Sequence, residues 1–452
     1  MLDTEIFFEK QRSECDQLAE QNRLSEAIYV AEKSGFDALV NLGLLYASRT
    51  HEYEKALSCF FDALKIIQAD WVCWCNICHA YTKLFQHDLA LQAALKSIKY
   101  SHEKSYGCFY NAGVIFLNLR KLTESEDMFR KALEINPQHI SSKYNLAMTL
   151  LTQKKYAEGW KLYEHRFDEG VLTKKCRSRF AQPDWNGEPI PNRSLLIFSE
   201  QGIGDFIFFS RFLPQIRNLV GKIIVEVQEP LVNLIQKNFA VDEVIGRDNS
   251  LTGTIQSDYC LSVSSLAHVL KIDADHKIVN APYIHANFNK AAKIRKVGIC
   301  WAGSPVHKSD YLRSIPISDW QHFLKNDSLE FYSFIVNTPS KRIWNAKEIY
   351  INQGVEKFQI NNIFEKLTDF QELSEKIAEM DLVVTVDTGL AHLCGAMGMP
   401  VFILLSKESD WRWAEDNQTV WYPSAKLFRK KTSWSDLLAE VNEAISFQNS
   451  VD

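Results

Sequence analysis

The sequence predicts an α plus α/β protein, in which an N-terminal α-solenoid of helix pairs is followed by two Rossmann-like lobes. Three observations carry this reading. The first third repeats the same residue classes every 34 to 35 residues. From Ser194 short apolar strands alternate with helical stretches, and a second such series opens at Lys296. A chain of 452 residues is also too long for one hydrophobic core.

In the repeat region Gly43, Cys78, Gly113 and Ala147 are the small residues of successive first helices, each followed three residues later by Tyr46, Tyr81, Phe116 or Leu150. The second helices carry Ala56, Ala90, Ser125 and Gly159, then Phe60, Ala94, Phe129 and Tyr163 one turn on. Small residues let antiparallel helices approach closely, and large ones fill the gap against the next pair. With Pro137 closing ALEINP, this pattern resembles the tetratricopeptide repeat over residues 37–170, with a degenerate unit, RLSEAIYVAEKSG, upstream.

Asn41, Asn76, Asn111 and Asn145 recur two residues before the small residue of each unit. Stacked repeats would align these carboxamides in a ladder, and a carboxamide can both donate to and accept from an extended peptide. Protein O-GlcNAc transferases and other peptide-binding solenoids look similar here. The alternative is a helix-surface Asn that belongs to the repeat and binds nothing.

Composition narrows the function. A net charge of −5 leaves no basic excess to neutralise a nucleic-acid backbone, so nucleic acid is not an expected partner. No apolar run approaches the ~18 residues of a membrane span, and the N-terminus MLDTEIFFEKQRSECDQ lacks the layout of a secretion signal. A cytoplasmic location is expected. The ten cysteines then read as small buried hydrophobes. Cys75-Asn-Ile-Cys78-His79 matches the haem-attachment pattern, but it falls inside an amphipathic repeat helix, where packing is the simpler role.

The segment CRSRFAQPDWNGEPIPNRS, with three prolines, reads as a boundary in which Phe180 and Trp185 pin the join. The expected organisation is a repeat domain at 1–170, a linker at 171–193, an N-terminal lobe at 194–290 and a C-terminal lobe at 291–452. Strands are expected at SLLIFS, KIIVEVQ, DEVIG and DYCLS, then at KVGICWAG, LEFYSFIV, DLVVTV and PVFILL, with a closing helix at SWSDLLAEVNEAI.

Ligands of open α/β sheets bind beyond the carboxyl ends of strands. Three places stand out there. Ser199-Glu-Gln-Gly-Ile-Gly-Asp205 is a glycine-containing turn ending in an acid, with Asp205 either functional or a helix N-cap. The loop from Trp301 to Ser314 gathers Ser304, His307, Lys308 and Arg313, cations and hydroxyls of the kind a diphosphate needs. Val386-Asp387-Thr388-Gly389-Leu390-Ala391-His392 runs a strand straight into a helix, whose first N–H groups would form an anion site flanked by Asp387 and His392. The plainer alternatives are an Asp387 cap and a packed histidine. Asp273-Ala-Asp275 follows a helical stretch rather than a strand, so no metal site is expected.

EQGIGD, WAGSPVHKSDYLRSIP and VDTGLAHLCGAMGMP, in this order and spacing, resemble the bacterial heptosyltransferases of glycosyltransferase family 9, especially the branch with N-terminal tetratricopeptide repeats. The resemblance covers residues 156–434, including YAEGWKLYEHRF, QPDWNG, SDWRW and WYPSAKLFR, and departs in FYSFIVNTPSKR and around LLSKESDWRW. It implies a GT-B fold with the nucleotide diphosphate of a sugar donor on the C-terminal lobe. Gly204, Ser304, Lys308, Arg313, Asp387, Thr388, Gly389, Leu390 and His392 would hold the donor, and Asp205 would be the catalytic base.

The expected reaction is a metal-independent, inverting hexosyl or heptosyl transfer that needs no cofactor. The expected acceptor is a protein, of flagellin or adhesin type, on the Asn41, Asn76, Asn111 and Asn145 ladder. The alternatives are a lipid or oligosaccharide acceptor, or a scaffold whose transferase unit is inactive.

Overall fold

The computed structural model describes residues 35–168, 177–247, 255–273, 281–288, 293–304, 310–335, 360–362, 367 and 369–450. The chain divides into two compact units, Met1–Leu150 and Leu151–Asp452.

In the first unit the helices come in antiparallel pairs: α1 (Phe36–Leu45) with α2 (Tyr53–Ile66), α3 (Trp71–Lys83) with α4 (His87–Tyr100), and α5 (Tyr106–Asn118) with α6 (Leu122–Ile135). α7 (Ile140–Thr152) follows. The glycines do what the repeat pattern requires. A Cβ on Gly43 would lie 2.5 Å from the Phe60 ring, and one on Gly113 would lie 2.6 Å from that of Phe129. Of the haem-like string Cys78 is buried, as is Cys73 just before it, and the half-buried Cys75 has its Sγ 3.4 Å from Cys108 Sγ in the next pair. The upstream degenerate unit lies outside the described residues.

The second unit begins earlier than the repeat pattern suggested. α8 (Tyr156–Tyr163), read from sequence as the last repeat helix, belongs to it. The reason is aromatic packing, with the Trp160 ring 6.0 Å from Phe209 and 5.2 Å from Trp411, and Tyr156 5.2 Å from Trp421. Arg166, just beyond the helix, is buried against Glu200 at 2.6 Å. The expected linker also belongs to the lobe it precedes. Phe180 packs on Leu196, Phe198 and Ile224, while the Trp185 backbone N–H donates to Cys260 O. Both aromatics are buried within this lobe.

Two parallel sheets follow, both Rossmann-like. The first has the order β3–β2–β1–β4, from β1 (Ile190–Phe198), β2 (Val220–Val227), β3 (Glu243–Gly246) and β4 (Tyr259–Ser262). The second has the order β10–β9–β8–β5–β6–β7, from β5 (Lys296–Cys300), β6 (Glu330–Ser333), β7 (Ile360–Asn362), β8 (Leu382–Val386), β9 (Val401–Leu405) and β10 (Ala425–Arg429). Central strands are buried on both faces, as β8 and β9 are over their whole length, because helices cover both sides of a parallel sheet. β7 and β10 were not anticipated from sequence. Both are edge strands. β1 also begins four residues before the expected Ser194.

The helices that matter for the site are α9 (Ile203–Ser210), after β1, and α12 (Gly389–Met397), after β8, with α10 (Val232–Asn238) and α11 (Phe370–Ile377) between them in the chain. These two pack on each other across the sheets. The closing helix α13 (Trp434–Ser450) packs on the second lobe, where Asn442 accepts from Asn326 Nδ2 at 2.7 Å.

Candidate functional site

The turn after β1 is held rigidly from outside. Glu200 is fully buried, ion-paired to Arg166 Nε, and Arg166 Nη2 also donates to Ser265 Oγ at 2.6 Å. Gln201 Nε2 donates to Tyr163 OH at 2.8 Å, and its carbonyl accepts from Gln228 Nε2 at 2.7 Å. These bonds aim the start of α9 at the second sheet.

Gly202 is the N-cap of α9, so Asp205 is not the cap that a sequence reading allowed but stands at the third helical position. Its Oδ2 accepts from the Gly202 N–H at 3.0 Å, the reach-back half of a capping box. Its Oδ1 accepts from Arg412 Nη2 at 2.6 Å. Burial raises the Asp205 pKa; Arg412 opposes this, Asp410 adds to it, the Gly202 N–H lowers it again, and Glu200 raises it. The side chain keeps 25% of its surface exposed.

Arg412 comes from the turn after β9. Its guanidinium lies 4.6 Å from the centre of the Trp411 ring and 4.8 Å from that of Phe208, and Nη1 donates to Asp410 at 2.9 Å. Its side chain is 6% exposed. This cation was not among the residues expected to carry function. The available signal was the string Asp410-Trp-Arg-Trp413 just past an apolar strand, which places a cation between two aromatic rings at a crevice.

α12 starts opposite. Its N-cap is Thr388, so Asp387 does not cap it, and the first N–H groups have no intrahelical acceptor. Gly204 and Gly389 bring the two helix N-termini together. A Cβ on Gly204 would lie 3.2 Å from Gly389 Cα and 2.8 Å from His392 Cδ2. Two positive dipole ends meeting in this way favour an anion between them.

The flanking residues divide by role. His392 is buried, stacked on Trp413 at 5.1 Å, with Nδ1 3.0 Å from Tyr422 OH. Burial holds its pKa well below the ordinary value, with Arg412, Arg211 and Arg313 adding to the effect, so it is a neutral packed ring. Asp387 is half-buried, and its carboxyl is pushed up to about 6, first by burial and then by Asp410. Its carbonyl accepts from Arg313 Nη1 at 3.0 Å. Arg313 covers Gly303, where a Cβ would lie 2.6 Å from the guanidinium. Ser304 is exposed in the loop after β5, and Leu390 is buried. Lys308 and His307 lie outside the described residues, as does Asp275. No group of three or more metal-ligating side chains occurs among the described residues.

In the first unit Asn41, Asn76, Asn111 and Asn145 are all half-buried at equivalent helix positions. Asn41 Nδ2 and Asn76 Nδ2 are buried without a hydrogen-bond partner. Asn145 Nδ2 donates to Ser141 O at 2.9 Å and to Tyr110 OH at 3.4 Å.

With this geometry in place, comparison with known proteins defines the class. Residues 338–434 match glycosyltransferase family 9 (heptosyltransferase), and residues 106–139 match the tetratricopeptide repeat. The chain therefore carries tetratricopeptide repeats ahead of a glycosyltransferase family 9 domain. It is similar to Protein FlbA of Caulobacter vibrioides, 25% identical over 307 residues, or 62% of this chain and 50% of that one. The chain thus spans about half the length of the curated relative it matches.

Solved structures with likeness to it include Pseudomonas aeruginosa pilF, with TM-score 0.35 and 16% identity over 38% of this chain and 81% of that one. YrrB, described as a TPR protein with an unusual peptide-binding site, has TM-score 0.30 and 19% identity over 34% and 81%. Among the described residues no helix is long and apolar enough to cross a membrane.

Proposed function

We propose that the second unit transfers a glycosyl group, hexosyl or heptosyl, from a nucleoside diphosphate sugar to an acceptor hydroxyl in one inverting step without metal or cofactor. The observation that carries this is the meeting of two helix N-termini at Gly204 and Gly389, flanked by Arg313, in a chain with a family 9 domain. Free N–H groups and guanidinium donors stabilise a departing diphosphate in the way a bound cation would. Thr388, Gly389 and Leu390 offer backbone N–H groups to it. Ser304 and Lys308 complete the donor side by sequence position. Asp205 lies opposite as the base that takes the acceptor proton.

The acceptor in this reading is a protein, of flagellin or adhesin type, held in the cytoplasm by the repeats through Asn41, Asn76, Asn111 and Asn145. A family 9 domain joined to tetratricopeptide repeats supports it.

Calorimetry of the full chain with UDP, GDP and ADP tests the donor site. At least one is expected to bind, and Gly204→Ala is expected to weaken it at least tenfold, because the added methyl would press on the buried His392 ring at 2.8 Å and on Gly389 Cα at 3.2 Å. Binding of none of the three, or undiminished binding by Gly204→Ala, would remove the assignment.

A further inference from the structure

Asp205 and Arg412 come from different sheets, yet they make the shortest polar contact across the site. The arginine is immobilised before it reaches the aspartate. Trp411, Phe208 and Phe209 contribute aromatic rings within 5.5 Å of its guanidinium, and Asp410 takes Nη1. A guanidinium is a planar fork, so with Nη1 on Asp410 and the plane set by the rings, the direction of Nη2 is fixed. Asp205 is held at both oxygens, by Nη2 on one and the Gly202 N–H on the other. Each carboxylate oxygen has a second lone pair. The exposed quarter of the side chain is where a third partner must approach.

We propose that Arg412 is a positioning residue for transfer: reaching from the second sheet, it clamps the Asp205 carboxylate in the orientation from which Asp205 accepts the acceptor's proton. The proposal rests on the reading of Asp205 as the base. Arg412 touches neither donor nor acceptor in this role and acts through Asp205.

The clamp also sets the charge of the base. Around Asp205 stand Arg412 and Asp410 from the turn after β9, Glu200 and the Gly202 N–H from the turn after β1, and neutral His392 on α12. Burial, Asp410 and Glu200 all push the carboxyl toward its protonated form, in which it is useless as a base. Arg412 is the strongest group acting the other way. An opposite charge at this distance moves a carboxyl by about 1–3 pH units.

The test compares wild type, Arg412→Lys and Arg412→Met as full-length proteins, with Asp205→Asn as the control. Lysine keeps the charge but cannot fork to two carboxylates, and methionine keeps much of the bulk without the charge. Two readouts are needed: the pH profile of transfer, and a ¹³C titration of the Asp205 carboxyl assigned by its loss in Asp205→Asn.

In Arg412→Met the Asp205 resonance and the acid limb of the rate profile are expected to move up together by about one unit or more. Rate at neutral pH is expected to fall ~10-fold or more and to recover in part at alkaline pH, with the donor KM within about threefold of wild type. Arg412→Lys is expected to restore most of the titration but only part of the rate, since the charge returns without the fork. Because Arg412→Met leaves two carboxylates without their cation, it could fail to fold; Arg412→Lys still decides.

An unchanged rate in Arg412→Lys, or an unmoved Asp205 titration in Arg412→Met, would overturn the proposal. Those results beside an inactive Asp205→Asn would leave the base reading standing. A fully active Asp205→Asn would instead remove the base reading itself, and the carboxyl titration would still report whether Arg412 governs the charge.

Discussion

Replacing Asp205 by Asn separates a base from a structural acid. The substitution keeps the size and lets the side-chain oxygen accept from either Gly202 N–H or Arg412, but not from both as a carboxylate does. Removing one partner of a fully buried ion pair costs about 3–5 kcal/mol, and an exposed pair is worth about 0–1. Here Arg412 is nearly buried, Asp205 is a quarter exposed, and Asp410 remains to Arg412, so a loss of roughly 1–2 kcal/mol is expected. For a unit of this size that is a fall of a few degrees in melting temperature.

The rate should fall far more, by ~10²-fold or beyond, because no neighbour can take over the proton. Glu200 in the same turn is no substitute, since it is fully buried against Arg166. The assay is the mass increase of the acceptor in the native host, complemented by wild type or variant, beside calorimetry of donor binding. Unaltered donor binding with lost transfer is the expected pair of results. Near-normal transfer would refute the reasoning and leave Asp387 and Asp410 as the remaining cleft acids.

Three further outcomes follow from particular residues. Asn76→Ala should change stability by no more than about 0.5 kcal/mol and could raise it, because it removes a buried unpaired amide, whereas Asn145→Ala loses two hydrogen bonds and should cost about 1 kcal/mol. If the ladder holds an acceptor peptide, the double variant Asn76→Ala, Asn111→Ala weakens binding by ~0.5–1.5 kcal/mol per lost bond; unchanged affinity by calorimetry would reduce the ladder to a repeat signature. Asp387, with its carboxyl raised to about 6, destabilises the fold where it is ionised, and that penalty is relieved as pH falls through 6 toward the unfolded value. Asp387→Asn should therefore melt higher than wild type at pH 8, with the gap narrowed at pH 5 and closed only as pH nears the unfolded value; equal melting temperatures throughout would contradict the shift.

The repeats were legible because their period is local: the Gly43–Phe60 and Gly113–Phe129 contacts follow from residue classes that recur in the sequence itself. The sheets were legible because each central strand is a short apolar run next to a turn. β7 and β10 escaped because an edge strand is half-exposed and mixes polar residues, as INN and AKLFR do. The end of the solenoid escaped for a different reason. α8 has the same small and aromatic pattern as a repeat helix, and only the position of Trp411, some 250 residues away, shows that Trp160 packs on the second unit. Arg412 was hidden in the same way, since its partner Asp205 lies on the other sheet and no spacing rule links them.

The charges of the cleft can be weighed against one another. Burial drives His392 neutral, so its contribution to stability fades as pH drops below the ordinary histidine value, when the unfolded ring takes a proton and the folded one does not. Asp387 responds in the opposite sense over the lower part of the same window. Both groups are thus held toward their neutral forms, and each would make a poor fixed charge. Burial pushes Asp205 the same way, but Arg412 opposes it directly, so the charged set across the sheets is Arg412, Asp205 and Asp410, in which one cation is shared by two acids. Such a set carries a net negative charge, which suits a base. It sits beside two helix N-termini, which suit an anion. Proton acceptor and diphosphate are therefore served by adjacent groups of opposite polarity, the acids on one hand and the helix-terminal N–H groups on the other. That separation is what a single displacement needs, with a proton leaving on one side of the sugar and a dianion departing on the other.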